Sequence, residues 1–235
     1  MIRIAICEDN KYEQEELCDK INSTGLFSSV TFDFFENGQQ IVENYKNGKA
    51  YDFVFLDVDM PILNGVEAGK KINAIDQRTI IIFNTSYPQY AIDAFDCNAF
   101  NYLLKDSDYK KFYTVLEKAL YKYRSLHQTY TIVTKNGRET MKISDIYFVE
   151  CYRKHLYIHT DNDIHITKLT LSEIYAYLSS FGFYQIHQGY IVNFNKVISI
   201  NGCDIMLDNG QKIMISVRKH TEVVKAYSEF IERVM

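Results

Sequence analysis

The run Phe53-Val54-Phe55-Leu56-Asp57-Val58-Asp59-Met60-Pro61-Ile62-Leu63-Asn64-Gly65 opens with four consecutive apolar residues and then delivers an acid. An apolar tetrad with no polar residue alternating through it is the pattern of a strand buried on both faces. Such strands belong to parallel sheets covered by helices. Four more short apolar runs accompany it, at Arg3 to Cys7, Val30 to Phe35, Ile80 to Asn84 and Phe100 to Leu104. Between the runs lie residues at helical spacing: Leu17 and Ile21, then Val66, Gly69 and Ile72, then Phe112, Val115, Leu116, Ala119 and Tyr123. Strand alternating with helix predicts an α/β doubly wound five-stranded parallel domain over residues 1–124, with its ligand site at the carboxyl ends of the strands.

Past Arg124 the period changes. Thr131 to Thr134, Ile146 to Glu150, Leu156 to His159, Ile164 to Ile166, Val197 to Ile200, Ile205 to Leu207 and Lys212 to Ile215 are short and rich in Ile, Tyr and Val. Turn signals punctuate them at Asn136-Gly137, Asp161-Asn162, Asn201-Gly202 and Asn209-Gly210. One helix-like stretch, Leu171 to Ser179, interrupts the series. The expectation is a smaller, mainly β, antiparallel domain over 131–235, reached through a brief linker at 125–130.

Composition narrows the class. In 235 residues, 47% hydrophobic and 24% charged content with 10 Gly and 2 Pro excludes a disordered or fibrous chain. No apolar run approaches a membrane span and the N-terminus lacks a signal-peptide layout, so a cytoplasmic protein with no membrane partner is expected. Five scattered cysteines without a CxxC pair read as reduced thiols, not as a zinc site or disulfide framework. Residues 1–126 carry 14 Lys and Arg against 19 Asp and Glu; the remainder carries 12 against 11 and all six histidines. That asymmetry suggests two modules with different partners.

Polar residues gather just past the predicted strands: Glu8-Asp9 after the first, Asp57 after the third, Thr85-Ser86 after the fourth and Lys105 after the fifth. Three carboxylates at one sheet edge make the hard, oxygen-rich site that Mg²⁺ accepts. A lysine and a hydroxyl facing it would neutralise and hydrogen-bond a phosphoryl group. Asp9 to Asp57 and Asp57 to Lys105 are both 48 residues apart, which suits convergence of alternate strand–helix units.

IAICEDN, FVFLDVDMPILNG, IIIFNTSYPQYAIDAF and AFNYLLKD together resemble the receiver domain of bacterial two-component response regulators, over residues 1 to about 124. The resemblance implies that a sensor histidine kinase phosphorylates Asp57. It implies Mg²⁺ held by Glu8, Asp9, Asp57 and the backbone carbonyl of Asp59. Thr85 would move onto the phosphoryl oxygen, Lys105 would pair with it, and Tyr102 would be the aromatic switch leading to homodimerisation. The chain would catalyse only its own phosphorylation and dephosphorylation. One departure stands out: receivers usually follow the lysine with a cis proline, and here Asp106 does so. A cis bond costs about 2.5–4 kcal/mol before a residue other than proline. Either the loop is trans and presents Lys105 differently, or its surroundings support an unusual cis bond.

ISDIYFVECYRKHLYIHT, FGFYQIHQGYIVNFNKVISI and NGQKIMISVRKH resemble a LytTR-type DNA-binding domain of the accessory-gene-regulator kind, over roughly residues 130–235. The resemblance implies that loops enter successive major grooves of double-stranded DNA, commonly on direct repeats. His155, Gln188 and Arg218 would face bases, and Arg153, Lys154 and Lys219 would hold phosphates. His187 and Asn193 are assigned to structural hydrogen bonds. Two other classes remain open. A haloacid-dehalogenase-like phosphatase would use Asp57 and Asp59, although that motif normally ends the first strand. A receiver with a protein-binding output would lack a DNA role.

Overall fold

The structure is a computed structural model that describes residues 1–234, so Met235 of the expected second domain lies outside them. The chain divides into two compact units, Met1–Tyr123 and Arg124–Met235.

From the N-terminus the elements are β1 (Ile2–Cys7), α1 (Lys11–Ser23), β2 (Val30–Phe35), α2 (Gly38–Lys46), β3 (Phe53–Leu56), α3 (Gly65–Ile75), β4 (Ile80–Thr85), α4 (Ala91–Phe95), β5 (Asn101–Leu104) and α5 (Tyr109–His127), the division between the units falling within α5. The five strands form a parallel sheet in the order β2-β1-β3-β4-β5. Side chains alternate across the sheet into two cores. Ala5, Val54, Leu56, Ile81 and Phe83 pack on one face, and Ile4, Ile6, Phe53, Phe55, Ile80 and Ile82 on the other. Because both faces are covered, β3 is apolar throughout. The strand order reverses between β1 and β3, so their carboxyl ends open a crevice.

The second unit holds β6 (Thr129–Thr134), β7 (Gly137–Lys142), β8 (Ile146–Tyr152), β9 (His155–Thr160), β10 (Ile164–Thr167), α6 (Leu171–Leu178), β11 (Phe183–His187), β12 (Tyr190–Asn193), β13 (Val197–Asn201), β14 (Asp204–Leu207), β15 (Lys212–Met214) and α7 (His220–Val234). A seven-stranded sheet runs β11-β12-β8-β9-β10-β6-β7, and β13-β14-β15 form a separate three-stranded one. Ile174 and Leu178 of α6 bury against Ile132, Val149, Leu156, Ile158, Phe183 and Ile191. Thr170 and Glu173 close a capping box at the start of α6.

Several elements were not anticipated. The residues expected to form a linker are helix as far as His127 and strand from Thr129, because the helical spacing continues without a Gly or Pro to stop it. Strand β7 is polar but for Met141, as suits an edge. The strands β11 and β12 and the helix α7 also lie outside the expected segments. In α7, Val223 and Phe230 are buried seven residues apart, two turns of one helical face.

Candidate functional site

The crevice between β1 and β3 gathers the acids. Glu8 and Asp57 each follow a strand directly and are buried, whereas Asp9 is exposed. Their carboxylate oxygens lie within 4.8 Å of one another. Lys105 Nζ, at the end of β5, reaches Glu8 Oε2 at 2.6 Å and Asp57 Oδ2 at 2.9 Å, and also donates to Glu13. Asp57 Oδ1 accepts from the Val58 amide at 2.6 Å. Gln14 Nε2 donates to the carbonyls of Glu8 (2.6 Å) and Phe35 (3.2 Å), anchoring the β1–α1 loop. Burial pushes the Glu8 carboxyl up to about 7, with the Asp57 charge adding to the effect while hydrogen bonding from Lys105 pulls downward. Burial disfavours the Lys105 ammonium, yet hydrogen bonds to Glu13, Glu8 and Asp57 hold its pKa above the ordinary lysine value. Three carboxylates that offer only oxygen form a donor set that fits a hard dication such as Mg²⁺.

The Lys105–Asp106 bond is trans, there being no cis peptide among the described residues. Lys105 therefore reaches the crevice without a cis turn. Thr85 is fully buried at the end of β4, and its Oγ1 accepts from the Tyr87 amide at 3.4 Å. Tyr102 packs on Phe83 with ring centroids 5.7 Å apart and donates its hydroxyl proton to the Tyr87 carbonyl. Asp59 stands outside the carboxylate cluster; its carboxylate beside the Tyr87 hydroxyl raises that phenol's pKa. The loop after Asp57 carries Ile62 at φ 69°, a β-branched residue in the left-handed region, and 76% exposed.

Sequence reasoning missed Glu13 and Tyr87. Asn10 caps α1 by accepting from the Tyr12 amide and donates to Glu13 Oε1 at 3.2 Å. The spacing Asn-x-x-Glu is a legible cap signal. Nothing local signals that the other Glu13 oxygen meets Lys105.

In the second unit, three turns meet at one end of the large sheet. Tyr152 pairs with His155, so Arg153 and Lys154 alone connect β8 to β9, both exposed and at φ 47° and 65°. His155 Nδ1–H donates to the Arg153 carbonyl at 3.1 Å, which in the neutral ring leaves Nε2 as an acceptor. Gln188 is exposed in the β11–β12 turn, which the Cys151 amide ties to β8 by donating to the Gly189 carbonyl at 2.8 Å. Arg218 is exposed in the 3₁₀ turn Val217–Lys219. The Ser216 amide joins that turn to the Ile186 carbonyl at 3.1 Å. Lys219 Nζ donates to the Gln185 carbonyl at 3.0 Å, so one of its protons is spent inside the domain. His187 Nδ1 accepts from the Gly189 amide at 3.2 Å. Buried Asn193 donates to the Ile146 carbonyl at 2.8 Å.

Comparison with known proteins gives two family matches: the response regulator receiver domain over residues 4–117 and the LytTr DNA-binding domain over residues 136–228. The sensory transduction protein LytT of Oceanobacillus iheyensis is 32% identical over 211 residues, 85% of this chain and 83% of that one. The transcriptional regulatory protein YpdB of Escherichia coli is 24% identical over 212 residues, covering 85% and 86% of the two chains. Among solved structures, the response regulatory domain of protein mrkE from Klebsiella pneumoniae is 27% identical, covers 52% of this chain and 98% of its own, and has a TM-score of 0.48.

Proposed function

This chain belongs to the two-component response regulators of the LytT type, a receiver domain followed by a LytTR DNA-binding domain that controls transcription, and from that premise we propose that Asp57 is its phosphoacceptor. A sensor histidine kinase supplies the phosphoryl group, and Glu8, Asp9 and Asp57, with the Asp59 carbonyl, hold Mg²⁺. The ion would offset the charge of the phosphoryl oxygens. Asp57 is buried, keeps one oxygen on the Val58 amide, and has the Lys105 ammonium 2.9 Å from the other. Lys105 then pairs with a phosphoryl oxygen and Thr85 donates its hydroxyl proton to another. The observation that carries this reading is the meeting of Asp57 with two further carboxylates and a lysine at the switch point of the sheet. A hydrolytic haloacid-dehalogenase reading is disfavoured because Asp57 ends the third strand.

The output follows from the second unit. Thr85 and Tyr102 both bond to Tyr87, so a hydroxyl drawn to the phosphoryl group would alter the site of Tyr102. That coupling would drive homodimerisation through the face of α4, β5 and α5. A dimer on direct repeats of double-stranded DNA gains affinity through effective concentration. His155, Gln188 and Arg218 read bases, while Arg153, Lys154 and Lys219 hold phosphates. Among the described residues no helix is long and apolar enough to cross a membrane, and the proposed place of action is the cytoplasm.

The test is mass spectrometry after acetyl phosphate treatment with Mg²⁺. One phosphoryl group should appear on wild type and be absent from Asp57→Asn and from EDTA-treated protein. Equal labelling of all three would sink the assignment.

A further inference from the structure

The lysine at the phosphoacceptor has three protons and spends them on three carboxylates, Glu8, Asp57 and Glu13. Two of those carboxylates belong to the oxygen cluster that a dication would claim; Glu13 stands outside it. We infer that Glu13 is the positioning residue for Lys105, the carboxylate that keeps the ammonium at Asp57 once Glu8 and Asp57 are committed to other partners. The inference rests on the reading of Asp57 as phosphoacceptor.

The restraint on Lys105 is electrostatic. In the absence of a cation, Lys105 is held from several sides. A dication among Glu8, Asp9 and Asp57 neutralises most of what attracts the lysine there and repels its positive charge at short range. The Glu13 charge is not shared with that cluster, so its attraction remains. Its geometry suits the task. Glu13 lies in the first turn of α1, where the helix N-terminus favours a carboxylate. Asn10 Nδ2 donates to its Oε1 at 3.2 Å, leaving Oε2 for Lys105. Its side chain is 36% exposed against 6% for Glu8, so its charge gives up less of its contact with water than that of Glu8. The neighbourhood is braced as well: Lys20 Nζ, further along α1, donates to the Ser107 carbonyl in the loop after Lys105 at 3.5 Å. Here α1 supplies the restraint that sets where Lys105 sits.

The experiment uses the full chain and reads Lys105 directly. Brief acetic anhydride labelling, followed by mass spectrometry, is run on wild type, Glu13→Gln and Glu15→Gln. Each is labelled without metal and with Mg²⁺ at a concentration that calorimetry shows to saturate it. Glu15, exposed on the same helix, controls for the loss of one negative charge. Lys105 of wild type and of Glu15→Gln should stay protected when Mg²⁺ is added. Lys105 of Glu13→Gln should become about three- to tenfold more reactive, the factor expected from losing one charged, partly screened hydrogen bond. Phosphorylation of Asp57 by acetyl phosphate at saturating Mg²⁺ should slow by a similar factor in that variant alone. Unchanged Lys105 reactivity in Glu13→Gln, or an equal change in Glu15→Gln, would overturn the inference while normal labelling of wild-type Asp57 left the phosphoacceptor reading intact. Failure of wild type to take up a phosphoryl group would overturn both.

Discussion

Gly65 lies so close to Asp57 that a Cβ built on it would stand 1.8 Å from the Asp57 carbonyl oxygen. The Gly65 amide also donates to the Val58 carbonyl at 3.0 Å, so the start of α3 is fastened against the loop that carries Asp57. No side chain fits without moving that backbone. Gly65→Ala is therefore expected to destabilise the first unit by about 1–3 kcal/mol through overpacking. It should also slow acetyl phosphate labelling of Asp57, since the displaced atoms are those of the proposed acceptor. Gly48→Ala is the contrast. Nothing lies within 4 Å of its Cβ, so only its positive φ is penalised and labelling should be unchanged. Denaturant unfolding and mass spectrometry check both variants.

Arg153 and Lys154 occupy a two-residue hairpin connection with both φ values positive, the geometry for which Asn-Gly is the favoured pair. Left-handed backbone costs about 1–2 kcal/mol at each residue other than glycine. Replacing the pair by Asn-Gly should thus raise the stability of the second unit by about 1 kcal/mol or more. The same change should weaken DNA binding, because it removes two exposed charges from the proposed interface. A rise in unfolding midpoint together with a fall in affinity is the expected signature. Unchanged affinity would take this turn out of the interface.

Much of the architecture could be read from local pattern. Phe53 to Leu56 is buried on both faces and is apolar throughout, and Glu8, Asp9 and Asp57 stand just past strands, where a doubly wound sheet opens its crevice. Asn136-Gly137, Asn201-Gly202 and Asn209-Gly210 stand at connections between paired strands, and their glycines take positive φ values of 119°, 57° and 82°. The turn at Arg153-Lys154 has the same handedness without the glycine, so its backbone was not legible. Glu13 was equally hidden. It and Lys105 are 92 positions apart, and only the topology that places α1 beside the end of β5 brings them together. The helix α4, five residues long, carries too few turns for a periodic signal.

Tyr87 joins the hydroxyl of Thr85 to that of Tyr102 through its own amide and carbonyl. Tyr102→Phe removes the bond to the carbonyl while keeping the ring on Phe83. Amide exchange over residues 85–90 should accelerate in the unphosphorylated protein. If the proposed coupling runs through this bond, sedimentation should also show a weaker dependence of the dimer fraction on phosphorylation. Identical exchange and identical dimer fractions would place the switch elsewhere.

Arg218 and Lys154 are both exposed at the end of the sheet where three turns meet, yet their chemistries differ. A guanidinium offers two parallel donors that match the edge of guanine, whereas an ammonium is a point charge suited to phosphate. Arg218→Ala is therefore expected to cost about 1–3 kcal/mol on the preferred site and to relax preference at one base position. Lys154→Ala should weaken all sequences alike and flatten the salt dependence by about one unit of slope. The second half of the chain carries 12 Lys and Arg against 11 Asp and Glu, so non-specific affinity should be modest and binding should depend on where those charges stand. The measurement is a titration of the full-length protein and both variants against a selected site and its single-base variants at several salt concentrations. A uniform loss across all sequences for Arg218→Ala would make it a backbone contact. The base reading at this end of the sheet would then fall to His155, whose Nδ1–H is held by the Arg153 carbonyl, and to Gln188 in the adjoining turn.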